Sequence, residues 1–425
     1  MRVSRPRAAI VVTGSELVRG ERTDRNGPFY AREALGLGLV PGQIAIVGDD
    51  PVELESTLRA ASAADVCLVS GGLGPTHDDR TVELVARVAG AALRVDDELA
   101  RHIEGVSRSV AKRLNRPYAD FAAGVTKQAT VPEGAVVIGI AGTAPGLVLD
   151  NGACVFVVLP GPPGELQRLW PAAVASEPVR RVLARTSPPG RRVLRFFGAS
   201  ESAVARALAE AGGDGDGVEA TICARDFEIH VDLVVEPGAE ERADVLAVAL
   251  REPLERYLFS EDERTVAEIV LSLCRERGLL LATAESCTGG LVAARLTDIP
   301  GASDAFAGGV VAYANDVKAG SLGVPEQLIA AHGAVSAEAA AAMAAGVRER
   351  LGVDVGIAVT GVAGPDGGTE AKPVGLVYLH VSAPWDERGD EFSFPGDRAA
   401  IRTRAAVGAL HLARRLLTQS RHKAA

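Results

Sequence analysis

Apolar positions along the chain fall into two similar regimes with a short, different interval between them. "RAAIVVTG", "QIAIVGDD" and "DVCLVSGG" are near-continuous apolar runs of strand length. Helical periodicity alternates with them: "NGPFYAREALGLG", "PVELESTLRAASAA" behind Pro51, and "RTVELVARVAG". Strands apolar on consecutive residues are buried on both faces, and strands alternating with helices make βαβ units around a parallel sheet. "AVVIGI", "GLVLD" and "ACVFVVLPG" add strands, and "GPPGELQRLWPAAVA" a helix, which carries this regime to about residue 175.

The pattern changes between residues 187 and 258. "SPPGRR" reads as a linker and "AGGDGDG" as a flexible loop. Around them lie a strand, "VLRFFG", a helix, "SESAVARALAEA", two strands, "VEATICA" and "FEIHVDLVV", and a helix near 239–256. From residue 262 the βα rhythm returns. The helix "RTVAEIVLSLCRERG" ends on a Gly cap, followed by the strand "LLLATAES", the helix "GGLVAARL" and the strand "AFAGGVVAYA". The helix "SAEAAAAMAAGVRERLG", capped by Ser336, leads to the strand "VDVGIAVTG". Paired strands "VGLVYLHVSA" and "DEFSFPG" and the helix "DRAAIRTRAAVGALHLARRLL" close the chain. The expected fold class is α/β. Two α/β domains with parallel or mixed sheets, residues 1–175 and 262–425, flank a small α+β module at 187–258.

Composition narrows the function classes. The 425 residues are 47% hydrophobic and 24% charged, the balance of a soluble globular protein. Only 4% are aromatic and the net charge is −10, which argues against a stacking surface for single strands and against an anionic-membrane binder. No nucleic-acid or membrane partner is expected, and a homodimer is. Cys67, Cys154, Cys223, Cys274 and Cys287 are odd in number and include no C-x-x-C pair, so neither a metal ribbon nor a disulfide framework is expected. The N-terminal apolar run is too short for a signal peptide, and no stretch approaches the roughly 20 apolar residues of a membrane span. The expected localisation is cytoplasmic.

The chemistry concentrates at strand ends. "AESCTGG", residues 284–290, puts Ser286 and Cys287 where a buried strand runs into a helix, at the edge where open α/β folds bind ligands. Amides from Cys287 to Gly290 at the helix start suit an oxyanion or a phosphate. The plainer reading makes Ser286 and Thr288 helix caps. A nucleophile needs a base. His332, His380, His411 and His422 are not placed for a triad by their patterns, whereas "YANDVK" sets Tyr313 at a strand end and Lys318 one helical turn on. A buried lysine activates serine in Ser-Lys variants of the triad. "TGVAGPDGGTEAKPVG" is a Gly-rich loop after a strand, suited to a ligand or to a long hairpin. "FPGDRAAIRTR" sets Arg398 and Arg402 on one helical face, suited to a phosphate or to solvent, with Arg404 beside them.

In the first regime "SGGLGPTHDDRT", residues 70–81, follows a strand and opens a helix, with Gly71, Gly72 and Gly74 shaped for a diphosphate. Asp78 and Asp79, with Asp49 and Asp50 of "VGDD" and Glu16 of "TGSEL", bring five carboxylates toward one sheet edge. Carboxylates share an anion site only when a divalent cation bridges them to the phosphates.

The four C-terminal motifs "AESCTGG", "YANDVK", "TGVAGPDGGTEAKPVG" and "FPGDRAAIR", in this order over about residues 262–420, resemble the nicotinamide-nucleotide amidohydrolase (PncC-type) domain of the CinA family. The resemblance implies deamidation of nicotinamide mononucleotide with Ser286 as nucleophile and Tyr313 and Lys318 as catalytic partners, without a cofactor. It implies substrate contacts at Thr288, Gly289, Gly290, Thr360, Gly361, Gly364, Arg398 and Arg402. "GSELVRGERTDRNG", "VGDD", "GGLGPTHDDRT", "TKQATVPEGA", "GTAPG" and "LPGPPGEL", over about residues 6–175, resemble the family's N-terminal domain, which is similar to molybdopterin-binding MoaB/MogA-like domains. That implies a pyrophosphatase for ADP-ribose-like nucleotides. Mg²⁺ or another divalent cation would sit at Glu16, Asp49, Asp78 and Asp79, and the substrate on Gly71, Gly72 and Gly74. Asp24-Arg25-Asn26-Gly27 stands where the family has D-T-N-S, the family's Asn-Pro before "GTAPG" is replaced, and Ala314-Asn315 stands for Ser-Asn. The middle module is similar to the family's KH-like connecting domain. The expected function is a bifunctional pyridine-nucleotide hydrolase. The alternatives are a molybdopterin-binding or adenylyl-transferring protein and a competence-associated binding protein.

Overall fold

The computed structural model describes residues 5–419, so His422 lies outside the described residues. The chain divides into two compact units, Met1–Gly190 and Arg191–Ala425, and the middle module shares the second with the C-terminal α/β segment.

In the first unit, the apolar runs become a six-stranded sheet in the order Val40–Val47, Arg7–Thr13, Val66–Ser70, Val155–Leu159, Ala144–Asp150, Val136–Ala141. Alternate residues feed opposite cores, as the pleat requires. Val11, Cys67, Val69, Phe156 and Val158 meet helices Pro51–Ala61, Thr81–Ala89 and Asp97–Arg113. Ile10, Val12, Leu68, Val157 and Leu159 meet Tyr30 of Asn26–Gly36 and Leu166, Leu169 and Trp170 of Pro163–Ala175. The sheet is mixed rather than purely parallel. Only Gly142 and Thr143 separate its last two strands in sequence, and so short a connection forces an antiparallel hairpin. Two helices between residues 96 and 129 had no assignment from sequence. Asp96 caps the first through the amides of Glu98 and Leu99, and Leu99, Ile103, Ser107 and Ala111 bury one face at four-residue intervals. Ala119–Gln128 follows it.

The second unit contains two sheets. Val218–Arg225, Glu228–Val235, Gly190–Phe197 and Leu258–Ser260 form one, covered by helices Glu201–Glu210 and Glu240–Leu254. The other has the order Phe306–Val311, Leu281–Glu285, Val355–Gly361, Leu376–Ala383, Asp386–Ser393, with the first three strands parallel. Val266–Arg277, Leu291–Thr297 and Arg398–Gln419 pack on one face, and Asn315–Leu322 and Ala337–Leu351 on the other. Among the described residues no helix is long and apolar enough to cross a membrane.

His411 joins the two layers of this unit. Its imidazole is fully buried, stacked on Phe197 at 3.8 Å and edge-on to Phe259 at 4.6 Å. Nε2 lies 2.8 Å from Glu228 Oε1, while Glu228 Oε2 lies 2.9 Å from His230 Nε2. Burial pushes His411 down to about 4 against the pull of Glu228, and Arg414 and Arg415 lower it further. Burial works against ionised Glu228, but hydrogen bonds from His230 and His411 outweigh it and hold the carboxyl at about 2. His411 is therefore neutral at pH 7 and donates from Nε2, which leaves Nδ1 without a partner.

Both groups have folded-state pKa values below their ordinary 6.5 and 4.5, so the unfolded chain binds more protons on acidification. The stabilisation is complete above about pH 6.5 and is lost as pH falls through 4 for His411, and from 4.5 through 2 for Glu228. Melting of this unit is expected to drop steeply from pH 6.5 to 4. His411→Phe, which keeps the ring stack, is expected to melt lower at pH 7 but to vary much less over that interval.

Candidate functional site

Strand Leu281–Glu285 delivers Ser286 to the sheet edge, where the Ser286 amide donates to Val359 O at 2.9 Å. Helix Asn315–Leu322 brings Lys318 beneath it. Lys318 Nζ donates to Ser286 Oγ at 3.1 Å, to Ala312 O at 2.8 Å and to Tyr313 O at 3.3 Å. Lys318 is 1% exposed, and among the described residues no carboxylate pairs with it. Desolvation penalises the charged ammonium and lowers its pKa from 10.5. Cys287 itself is pushed up to about 12, chiefly by burial, and stays a thiol at neutral pH. The serine is thus the side chain with a base beside it.

None of the described histidines serves it. His332 pairs with Glu338 at 3.2 Å, His380 faces Glu387 at 3.6 Å, and His411 is held in its aromatic stack.

The cap is not Ser286 or Thr288. The side chain of Glu285, 1% exposed, turns under the loop and accepts from Gly290 N at 2.9 Å, Val292 N at 3.0 Å and Ala293 N at 2.9 Å. A carboxylate satisfying the first amides of a helix complements its dipole. It also corrects the expectation that this helix start receives a phosphate. The Gly290 amide is taken and the Gly289 amide donates to Ser286 O at 3.1 Å, whereas among the described residues the amides of Cys287 and Thr288 donate to no backbone carbonyl.

The outer residues have separate tasks. Arg402, expected as a phosphate contact, instead spans the nucleophile loop, donating to Cys287 O at 3.0 Å and Thr288 O at 2.8 Å. A Cβ on Gly289 would stand 3.2 Å from this guanidinium, at a φ of +61°. Arg398 donates to Gly364 O at 2.6 Å and to the Tyr313 hydroxyl at 2.9 Å. The Tyr313 ring is 60% exposed, so its hydroxyl stands at the mouth while its carbonyl meets Lys318. Thr360 is buried and donates to Ala334 O at 2.7 Å, and Gly361 sits tight against the neighbouring strand at Leu376 O. Both shape the floor rather than the surface of the site.

In the first unit a cleft of about 880 Å³ gathers Glu16, Asp49, Gly71, Gly72, Gly74, Asp78 and Asp79, together with Asp24, Arg22, Arg25, Asn26 and Glu165. Gly71 and Gly72 take φ of +102° and +64°, where a Cβ would fall 2.4 Å from Thr13 O and 2.1 Å from Thr81 Oγ1. The loop is held from the second unassigned helix, by Lys127 on Thr76 O and by Gln128 on Leu73 O at 2.9 Å. Asp50 does not join the cleft carboxylates, because it caps Pro51–Ala61 through Val52 N and Glu53 N.

The cleft carboxylates are partly committed. Asp49 accepts from Ser15 N and Oγ at 3.0 and 2.6 Å, Asp79 from Thr76 N at 3.0 Å and Oγ1, and Asp24 from Asn26 N at 2.8 Å. Among the described residues no three His, Cys, Asp or Glu side chains are grouped to hold a metal ion. The donor set fits a cation that shares its coordination with substrate phosphates, as Mg²⁺ does with one or two carboxylates, and not a closed protein cage.

Residues 263–417 match the family described as CinA C-terminal domain, and residues 9–179 the one described as probable molybdopterin binding domain. The chain is 45% identical over 419 residues to a CinA-like protein of Mycolicibacterium gilvum (strain PYR-GCK), covering 97% of this chain and 99% of that one. The chain belongs to the CinA family. A CinA-like protein of Mycobacterium tuberculosis (strain ATCC 25618 / H37Rv) is 45% identical over 423 residues, 97% of each chain. The crystal structure of competence/damage inducible protein CihA from Agrobacterium tumefaciens is 37% identical, covering 38% of this chain and 100% of that one, with a TM-score of 0.35.

Sequence reasoning on this CinA-family chain gave no role to Glu285, Lys127, Gln128 or Glu165. All four lie inside quoted motifs, but the partners of the first three are backbone groups that no spacing reveals. Glu165 lines the cleft from the helix after "LPGPP", and burial raises its carboxyl, with Arg168 opposing.

Glu285→Gln replaces one acceptor oxygen with a donor facing a backbone N–H. A buried donor left unsatisfied costs about 1–3 kcal/mol. The variant is expected to lower the urea midpoint of this unit by about 2 kcal/mol equivalent with the slope unchanged, and an unaltered midpoint would refute the cap.

Proposed function

We propose that the Ser286 site hydrolyses the carboxamide of a nicotinamide nucleotide, with nicotinamide mononucleotide as substrate, yielding nicotinic acid mononucleotide and ammonia. The observation that carries this reading is the buried Lys318 Nζ, 3.1 Å from Ser286 Oγ and, among the described residues, without a carboxylate partner. Lys318 takes the hydroxyl proton as Oγ attacks the amide carbon. The amides of Cys287 and Thr288 receive the oxyanion, in a loop whose carbonyls Arg402 fixes. The C–N bond breaks, and Lys318 returns the proton to the departing ammonia. Water, deprotonated by the same amine, then hydrolyses the acyl-serine to the carboxylate. Tyr313 and Arg398, at the exposed mouth, meet the nucleotide, and Arg398 takes its phosphate.

For the first unit we infer a nucleoside-diphosphate ligand of the ADP-ribose type. Its phosphates would lie over Gly71–Gly74 near Arg22 and Arg25. Asp78 and Asp79 would hold a divalent cation together with those phosphates, and the cation would supply charge neutralisation and an activated water. Glu165, with its raised pKa, is suited to exchange a proton in the same cleft. The match to the molybdopterin-binding family favours a second reading, in which the cleft holds a phosphorylated pterin and cleaves nothing.

Mass spectrometry of the products from nicotinamide mononucleotide tests the serine site. Ser286→Ala is expected to abolish deamidation, and Cys287→Ala to retain most of it. Lys318→Met should lower kcat by about 10²-fold or more with KM little changed, since a base acts in the transition state. An active Ser286→Ala enzyme would reject the assignment.

Incubation with ADP-ribose and Mg²⁺ tests the cleft. EDTA and Asp79→Asn are each expected to reduce its hydrolysis to background while deamidation stays at the wild-type rate. Absence of hydrolysis by the wild type would favour the pterin reading. Loss of deamidation in EDTA would contradict a metal-free serine mechanism.

A further inference from the structure

We propose that the tip of the hairpin joining Val218–Arg225 to Glu228–Val235, in the middle module, is a positioning element for the mouth of the serine site. The inference rests on the reading of that site given above.

The observation that prompts it is a backbone anomaly. Asp226 and Phe227 both adopt left-handed conformations, with φ of 52° and 72°. Two-residue hairpins favour such a pair, but the residues that occupy it at low cost are Asn and Gly. A bulky aromatic at positive φ is an outlier, and strain of this kind persists where the surroundings over-determine it.

The surroundings are parts of the amidohydrolase layer. The Phe227 ring stands edge-on to buried Phe394, 5.2 Å between centroids at 89°, with the Arg404 guanidinium 5.6 Å from its centre. Phe394 stacks on Phe392 at 5.0 Å. The Asp226 carboxylate lies 3.5 Å from Arg295, on the helix that follows the nucleophile loop.

These contacts converge on one segment. Phe394 and Pro395 lead through Asp397, whose side chain accepts from Ala400 N at 2.8 Å, into the last helix. Arg404 donates to Pro395 O. Arg398, four residues past Phe394, holds Gly364 O and the Tyr313 hydroxyl. Phe227, whose ring meets Phe394 and Arg404, thus packs against the base of the arm that carries Arg398, and Arg398 in turn holds the Tyr313 hydroxyl from the end of strand Phe306–Val311. The module restrains where the nucleotide is held, and leaves the bond-making pair alone.

Phe227→Gly separates the two effects, since glycine adopts the turn readily and removes only the ring. In the full-length protein its KM for nicotinamide mononucleotide is expected to rise about tenfold with kcat within twofold. The rate at which a small serine-directed fluorophosphonate labels Ser286 should not change, and Phe227→Tyr, which keeps the ring, should match the wild type. Backbone hydrogen exchange of residues 394–402, measured without any nucleotide, should accelerate in Phe227→Gly. Should glycine prevent folding, Phe227→Asn, also at home at positive φ, carries the same tests. Unchanged exchange overturns the proposal whatever the substrate proves to be. A parallel fall in kcat and in labelling overturns it too, by making the hairpin a general support. Faster exchange in a protein that deamidates nothing upholds the brace and rejects the substrate reading.

Discussion

The C-terminal layer of the second unit is organised around Lys318, which among the described residues has no carboxylate partner. Lys318 lies under the sheet edge with three neutral acceptors, the Ser286 hydroxyl and the carbonyls of Ala312 and Tyr313. An ammonium in that place would lack the solvation that water or a carboxylate provides, at a cost of several kcal/mol. Burial therefore shifts Lys318 toward the amine, the form able to accept the proton of a neighbouring hydroxyl. The rest of the local architecture keeps carboxylates from reaching Lys318. Glu285 adjoins Ser286 in sequence, but three backbone amides of the following helix consume its acceptors. Its charge is thereby fixed at the helix start.

That arrangement explains why a serine precedes a cysteine here without the cysteine competing. Neighbouring residues at a strand end point in different directions. Ser286 turns to Lys318, while Cys287 is buried among Val292, Leu296 and the apolar face of the last helix. Burial raises the thiol and lowers the lysine, because the same exclusion of water disfavours the charged form of each.

Much of this was legible in the sequence, and the exceptions share a cause. Strands stood out as apolar runs, and the five-residue interval from Tyr313 to Lys318 located the base one turn into a helix. Asp49 and Asp50 illustrate the limit. They are adjacent and chemically alike, yet the alternation of an extended chain sends one into the cleft and the other to cap a helix. Arg398 and Arg402 share a helical face as their spacing implied. Whether a guanidinium meets a phosphate or a backbone carbonyl depends on what the fold brings opposite, and for Arg402 that is the nucleophile loop. The helix Asp97–Arg113 was legible in its cap and its four-residue apolar interval. It escaped notice because its polar faces dominate its composition.

The two sites differ in how they handle negative charge, and the difference follows from what each must bind. The cleft of the first unit keeps several carboxylates at its surface, half-committed to loop hydroxyls and amides, so a polyanion is repelled there unless a cation accompanies it. The serine site does the reverse. The carboxylate of the adjacent Glu285 is buried and held by three backbone amides, and the Arg398 guanidinium engages Gly364 O and the Tyr313 hydroxyl. Under the proposed reading the first arrangement makes ligand binding conditional on a second species. Under the same reading the second takes a singly phosphorylated substrate unaided, so its selectivity comes from where Arg398 and Tyr313 are held. A site that depends on placement in this way gains from a rigid support for the arm that holds Arg398. The second unit provides one by folding the middle module and the catalytic layer around a shared, neutral His411 rather than around a solvated linker.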